Sequence, residues 1–407
     1  MQLTEQSFSD FLAARGNLNT PAIVEIDSEC TYAELNRMAD GFAALARRMG
    51  VQPGDHVALW AENSIRWVAA FFGIIRAGAV ATLMNYSLPG QDIATLMRET
   101  DVTHLFYGGN REVSADPAAA ARTAQAAGIP ADRLCDIRTA EVQNAPAFTP
   151  AAGEDCRRTA LIIYTTGTTA QPKAVQLSAY SCLNSARSIW ELADEGTPIG
   201  NRSCIALPVF HSYGMAMMLG QFDRGGTVYM PRRFRTEDIE AVMRRGEVND
   251  IASVGTIYRA LTESPLFMQE LAPKVRTCRI GGAASTPLQM IRLDTAFTNG
   301  CFLPGYGQIG RYRGEMRKEN LNWMRVLSGA ADPRKYFPTL KQFLTALNKA
   351  VEYLRWERVE SRTYGTWVPQ ELYQGAEANG LKLVEGLERY ALPVVARRQL
   401  RRGGMVF

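Results

Sequence analysis

Residues 53–107 read PGDHVALWAENSIRWVAAFFGIIRAGAVATLMNYSLPGQDIATLMRETDVTHLFY, and this stretch decides the fold class. His56 to Trp60 is a short apolar run after the Pro53-Gly54-Asp55 turn, which predicts a strand. Ser64 is a helix-capping residue type, and the helix it opens stops at Gly78, which suits the left-handed position past a helix end. The cycle then repeats: Val80 to Met84 reads as strand, Pro89 to Thr100 as helix and Val102 to Tyr107 as strand. Strands alternating with helices in this way predict parallel sheet covered by helices. The helix at 64–77 carries Ile65, Trp67, Val68, Phe71, Phe72, Ile74 and Ile75 around nearly its whole circumference, so it belongs to the core and not to a site.

Working outward, residues 113–155 are Ala-rich and contain Pro117, Pro130, Pro146 and Pro150, the pattern of a helix followed by an irregular connector. A subdomain boundary is expected there. Beyond it the strand candidates are Ala160 to Tyr164, Cys204 to Leu207, Thr227 to Met230, Asp250 to Val254 and Val275 to Ile280, with helical stretches between. After residue 308 the strand signal vanishes, and Leu340, Phe343, Leu344, Leu347, Val351 and Leu354 fall on one helical stripe. The expected organisation is a first α/β subdomain at 1–150, a second at 151–308 and a helical, basic tail at 309–407.

The 407 residues exclude a lone small binding module, and 46% apolar against 21% charged content gives a packed interior rather than a disordered chain. The longest apolar run, Trp67 to Ile75, has nine residues between Arg66 and Arg76, far short of the roughly 20 needed to cross a bilayer. The first residues lack the basic start and apolar stretch of a secretory signal, so the expected compartment is the cytoplasm. Seven cysteines are scattered with no C-x-x-C pair, which predicts reduced, mostly buried thiols and assigns no metal ligand. Residues 309–407 hold 18 Lys and Arg against 10 Asp and Glu, whereas the whole chain carries only +4. That shift marks a boundary; it fits an acidic partner or, more commonly, the solvated face of amphipathic helices, and nucleic acid is not an expected partner.

The densest chemistry lies in Tyr164-Thr165-Thr166-Gly167-Thr168-Thr169-Ala170-Gln171-Pro172-Lys173-Ala174-Val175, directly after a strand candidate. Hydroxyls and the backbone N–H groups of a turn at Gly167 can converge on phosphate oxygens, and Lys173 adds a positive charge. The plain alternative is a Thr-rich hairpin, since Thr favours strands and Gly favours turns. The G-x-x-x-x-G-K-[ST] phosphate loop is absent.

This stretch resembles the phosphate-binding signature of the AMP-forming adenylate-forming enzymes: the acyl- and aryl-CoA synthetases, luciferases and peptide-synthetase adenylation domains. Ala170 and Ala174 stand where that family has glycine, which stiffens the loop. Leu207-Pro208-Val209-Phe210-His211-Ser212-Tyr213-Gly214 resembles the family's Pro-x-Phe-His segment, whose histidine lies beside the acyl pocket; taken alone, a single His is more often structural. Gly281-Gly282-Ala283-Ala284 resembles the run near adenine and the acyl group, although a strand-to-helix turn would read the same way. Gly305-Tyr306-Gly307-Gln308 resembles the start of the Tyr-Gly-x-Thr-Glu block, in which the tyrosine packs on adenine. Thr31 to Leu35 and Val51 to Asp55 are similar to the family's N-terminal region. The similarity covers about residues 20–308 and stops inside a motif, because Ile309 and Gly310 replace the threonine and the Mg²⁺-associated glutamate.

The resemblance implies the large N-terminal domain of an acyl-CoA synthetase-like fold, with two helix-covered, largely parallel sheets and an α-helical C-terminal segment. It implies ATP, CoA and Mg²⁺, and a small-molecule carboxylic acid as substrate. Thr165, Thr166, Gly167, Thr168, Thr169 and Lys173 would hold the β- and γ-phosphates, His211 and Gly282 would border the carboxylate, Gly281, Ala283 and Gly307 would line the nucleotide side, and Tyr306 would lie against adenine. Lys173 and His211 are the catalytic candidates. Met215, Met217, Met218 and Leu219 fit an acyl channel for a fatty or other apolar acid, and fit helix core equally. The missing C-terminal motifs predict impaired adenylation. A non-catalytic nucleotide- or acyl-binding protein on the same scaffold, or a truncated or fused ligase product, stays open, as does self-association into a homo-oligomer. The stripe at 340–354 argues against a tail of random out-of-frame sequence.

Overall fold

The computed structural model describes residues 4–108, 116–142, 148, 154–165, 172–194, 201–281, 293, 296–297 and 301–304. The expected helical tail at 309–407 lies outside them. Within the described residues, the stretches 1–189 and 200–253 belong to one compact unit, and 190–199 and 254–306 to a second.

In the first unit, β1 (Pro21–Val24), β2 (Glu29–Thr31), β9 (Arg202–Ile205), β10 (Thr227–Tyr229) and β11 (Asp250–Ser253) lie side by side in the order β11-β9-β10-β1-β2. The other sheet of this unit runs β6-β5-β3-β4-β7-β8, from β3 (His56–Ala61), β4 (Val80–Leu83), β5 (Val102–Gly108), β6 (Leu134–Asp136), β7 (Thr159–Thr165) and β8 (Lys173–Ser178). Only β1 with β2 and β7 with β8 pair antiparallel here, so both sheets are mixed but largely parallel, as the alternation of strand and helix required. In the second unit β12 (Thr277–Ile280) and β13 (Cys301–Pro304) pair in parallel.

The βαβαβ reading of residues 56–107 holds to within a residue or two. The first crossover helix, Ile65–Arg76, opens where the Ser64 hydroxyl accepts from the Trp67 N–H at 3.0 Å, and ends before Gly78 at φ +87°. Phe71 and Phe72 are fully or almost fully buried and meet Phe8 edge-on, while Trp67 stacks on Phe71 with centroids 5.6 Å apart. Each such side chain contributes about 1.5–3 kcal/mol by leaving water. The helix Tyr32–Arg48 packs against it and starts at a reciprocal cap between Thr31 and Glu34.

Two strand boundaries need correction. The strand expected at Cys204–Leu207 runs instead over Arg202–Ile205, because Pro208 cannot donate to a ladder and the chain leaves the sheet ahead of it. The strand expected from Val275 begins only at Thr277, after a tight turn over Ala272–Lys274. β1, from the N-terminal stretch, lies between β10 and β2, and β7 and β8 complete the sheet begun by β3, so each sheet draws strands from both sides of residue 150.

Among the described residues no helix is long and apolar enough to cross a membrane. Six of the seven cysteine side chains are described and unbridged; four of them are buried.

Candidate functional site

In a parallel sheet every strand delivers its carboxyl end to the same edge, and loops there are where ligands bind. The Thr-rich segment sits at such an end. Thr165 is the last residue of β7 and pairs with Lys173, the first residue of β8, so the chain between them is closed as an antiparallel hairpin. The plain reading of a hairpin is met by the pairing of the two strands that flank the Thr-rich segment. Thr166, Gly167, Thr168 and Thr169 themselves lie outside the described residues. Lys173, the first residue of β8, is exposed.

The base of the hairpin is anchored. Tyr164, one residue before its mouth, exchanges a 2.7 Å hydrogen bond with Thr100 Oγ1 and donates to the Leu96 carbonyl at 3.1 Å. Burial pushes its phenol up to about 12, so it remains a neutral donor at any physiological pH. Thr100 and Leu96 close the helix Gly90–Glu99, which ties the hairpin to the neighbouring crossover.

His211 occupies the N-cap of the helix Ser212–Asp223, beyond the carboxyl end of β9. Its ring centroid lies 4.4 Å from that of Phe210, and Phe210 meets Tyr86 edge-on at 5.3 Å. The imidazole is solvent-accessible, yet the protein packed around it pushes its pKa below the ordinary 6.5. It is therefore mainly neutral near pH 7, fit to accept or donate a hydrogen bond without carrying charge. Met215, Met217, Met218 and Leu219 are all buried in this helix. Gly214, on its first turn, stands so close to the Pro208 carbonyl that a Cβ there would collide with it.

Asn63, which the sequence did not single out, is 2% exposed in the turn after β3. Its Nδ2 donates to the Leu207 carbonyl at 2.8 Å and its Oδ1 accepts from the Val209 N–H at 3.0 Å. The only available signal was a carboxamide placed directly after a buried strand.

Gly281 is buried immediately after β12, in the second unit. Gly282, Ala283, Tyr306 and Gly307 lie outside the described residues. Among the described residues no cluster of three or more His, Cys, Asp or Glu side chains could hold a metal ion.

Two helix-covered, largely parallel sheets with Thr165, Lys173 and His211 at strand carboxyl ends define an α/β protein of the kind that binds ligands at that edge. Solved structures share this fold. The inhibitor-bound N-terminal domain of FACL13 from Mycobacterium tuberculosis superposes with a TM-score of 0.63 at 24% identity, covering 75% of this chain and 76% of that one. The anthranilate CoA ligase AuaEII in complex with anthranoyl-AMP gives 0.66 at 18% identity, covering 76% and 60%.

Residues 11–308 match the AMP-binding enzyme family, and the chain belongs to it. Among its relatives are a feruloyl-CoA synthase from Amycolatopsis, 26% identical over 300 residues that cover 72% of this chain and 57% of that protein. Another is the long-chain-fatty-acid–CoA ligase FadD13 of Mycobacterium tuberculosis, 27% identical over 274 residues covering 66% and 53%. The chain thus spans a little over half the length of these relatives.

Proposed function

We propose that this chain carries the adenylating part of an AMP-forming acid–thiol ligase acting in the cytoplasm. The carboxylate oxygen of the substrate attacks the α-phosphorus of ATP, the bond to the bridging oxygen breaks and pyrophosphate leaves. The CoA thiol then attacks the acyl carbon, and the C–O bond to AMP breaks. The observation that supports this reading is the pairing of Thr165 with Lys173, which sets both ends of the Thr-rich stretch at the carboxyl end of β7.

The chemistry needs negative charge stabilised on phosphoryl oxygens, and positioned donors supply it. Thr165, Thr166, Gly167, Thr168, Thr169 and Lys173 hold the β- and γ-phosphates in this reading, with Mg²⁺ entering on ATP. His211 with Gly281, Gly282 and Ala283 borders the acyl and nucleotide groups, and Tyr306 and Gly307 flank adenine. The substrate is a fatty or other apolar acid, in keeping with the Met-rich helix after His211.

Lys173 gives the direct test. Exchange for Ala removes a charge-assisted contact of roughly 1.5–3 kcal/mol, so calorimetry should show ATP affinity falling at least about tenfold. Unchanged affinity rejects the phosphate role. A second reading, binding of nucleotide or acyl group without efficient catalysis, is favoured by Ile309 and Gly310, which supply neither a hydroxyl nor a carboxylate to ATP and its metal.

A further inference from the structure

We propose that Asn63 is a positioning residue that sets where His211 stands, joining the turn after β3 to the turn after β9. The proposal rests on the reading of His211 as a border of the carboxylate pocket.

The need for such a device follows from the sequence around His211. β9 ends at Ile205, and Pro208 has no N–H to give to a ladder, so the chain leaves the sheet three residues before His211 without regular pairing. Asn63 replaces the missing strand neighbour. A carboxamide presents one donor and one acceptor side by side, as a peptide group does, and Asn63 spends both on Leu207 and Val209, the two residues flanking Pro208. The orientation of the amide is fixed by these partners, since the flipped form would set oxygen against carbonyl and NH₂ against N–H.

Beyond that grip the chain has little freedom. The Pro208 carbonyl accepts from the His211 N–H at 3.2 Å, closing a turn over 208–211, and Gly214 packs down on the same Pro208 carbonyl. On the far side Tyr86, 4% exposed and just past the end of β4, abuts Phe210, whose ring lies against that of His211. Two loops of the sheet that also carries the Thr-rich hairpin, those after β3 and β4, therefore hold the loop of the other sheet that bears the histidine. A buried amide costs desolvation that an apolar side chain would not. Here that cost is matched to a geometry only a peptide-like group can hold.

The test uses the full chain and the fact that it contains only three histidines, His56, His104 and His211. In proton NMR the His211 imidazole signals should be displaced by the Phe210 ring. Asn63→Ala should move them toward free-histidine positions while His56 and His104 keep theirs, which reports an intact fold. Should Asn63→Ala fail to fold, Asn63→Ser, which keeps a polar group at the site, carries the same expectation. His211 signals coincident with those of the unmodified chain in a folded variant overturn the proposal. In pyrophosphate exchange, kcat/KM for the acid should fall on the order of 100-fold, the penalty of roughly 1 Å misplacement, while KM for ATP holds. Equal losses for acid and ATP would also overturn it. If the unmodified chain neither exchanges pyrophosphate nor binds ATP, the adenylation reading fails, and the NMR result still decides the role of Asn63.

Discussion

His104 shows how burial leads in setting the protonation of a side chain in this molecule. It is 1% exposed on β5, its Nε2 faces the Met49 carbonyl at 3.1 Å and its Nδ1 lies 2.8 Å from Thr103 Oγ1. A neutral ring with the proton on Nε2 satisfies both contacts. Desolvation therefore lowers its pKa below 6.5, with the Met49 carbonyl opposing in part. The unfolded chain then binds a proton more readily than the folded one, so stability is constant above the unfolded value and is lost as pH falls from about 6.5 through the folded pKa. Urea midpoints at about pH 7.5 and 5.5 should show this decline, and His104→Asn should flatten it; an identical slope in the variant would mean other groups dominate. His211 adds a term of the same sign, screened by its exposure. At this scale the sequence singled out Lys173 and His211 as candidates by residue type and motif. It was silent on Asn63, because a carboxamide carries no periodicity and its partners lie 144 and 146 residues further along the chain.

Helices were easiest to read where their ends carry their own punctuation. Ser64 and Gly78 delimit the buried crossover helix, and Thr31 with Glu34 wrote the start of Tyr32–Arg48 equally clearly, in a capping pattern that earlier served only as a family resemblance. Strands of three or four residues such as β1, β2 and β6 escaped, because pairing with distant partners, not local propensity, makes them. β8 was legible only as the second arm of the Thr-rich hairpin that stood as the alternative to a phosphate loop. The two helices named above are also joined by a buried ion pair that no periodicity could announce: Arg76 and Asp40, 4% and 5% exposed, with Arg76 also reaching the Asn36 carbonyl at 3.2 Å and its Oδ1 at 2.9 Å. Asp40→Ala leaves the guanidinium buried without its counter-charge, which should cost about 3–5 kcal/mol in chemical denaturation. Asp40→Leu combined with Arg76→Met should recover most of that loss, since no charge is then stranded. A cost below about 1 kcal/mol for the single change would place the pair among those that contribute nothing measurable.

Across the whole molecule, the break in composition at residue 309 and the end of the family match at residue 308 coincide, so charge and motif content mark one boundary by independent routes. In the proposed adenylation reading that boundary falls inside the block that begins Gly305-Tyr306-Gly307-Gln308, and this makes the rate of adenylation the most informative property of the chain. Ile309 offers no hydrogen bond to phosphate and Gly310 no carboxylate to Mg²⁺. Each lost electrostatic contact can remove about 2.7–4 kcal/mol of transition-state stabilisation. Two such losses, if additive, slow the step by at least roughly ten-thousand-fold. Exchange of labelled pyrophosphate into ATP, measured with short, medium, long-chain and aromatic acids, reads adenylation without the thiol step. The unmodified chain should bind ATP through the Thr-rich hairpin yet exchange far below the order of 1–10 per second ordinary for enzymes. Ile309→Thr with Gly310→Glu should raise exchange by at least an order of magnitude while leaving ATP affinity nearly unchanged, because the restored groups act on the transferring phosphoryl group more than on the bound ground state. Exchange at an ordinary rate in the unmodified chain would mean that other residues already supply what those two positions lack. No gain in the double variant would locate the deficit elsewhere.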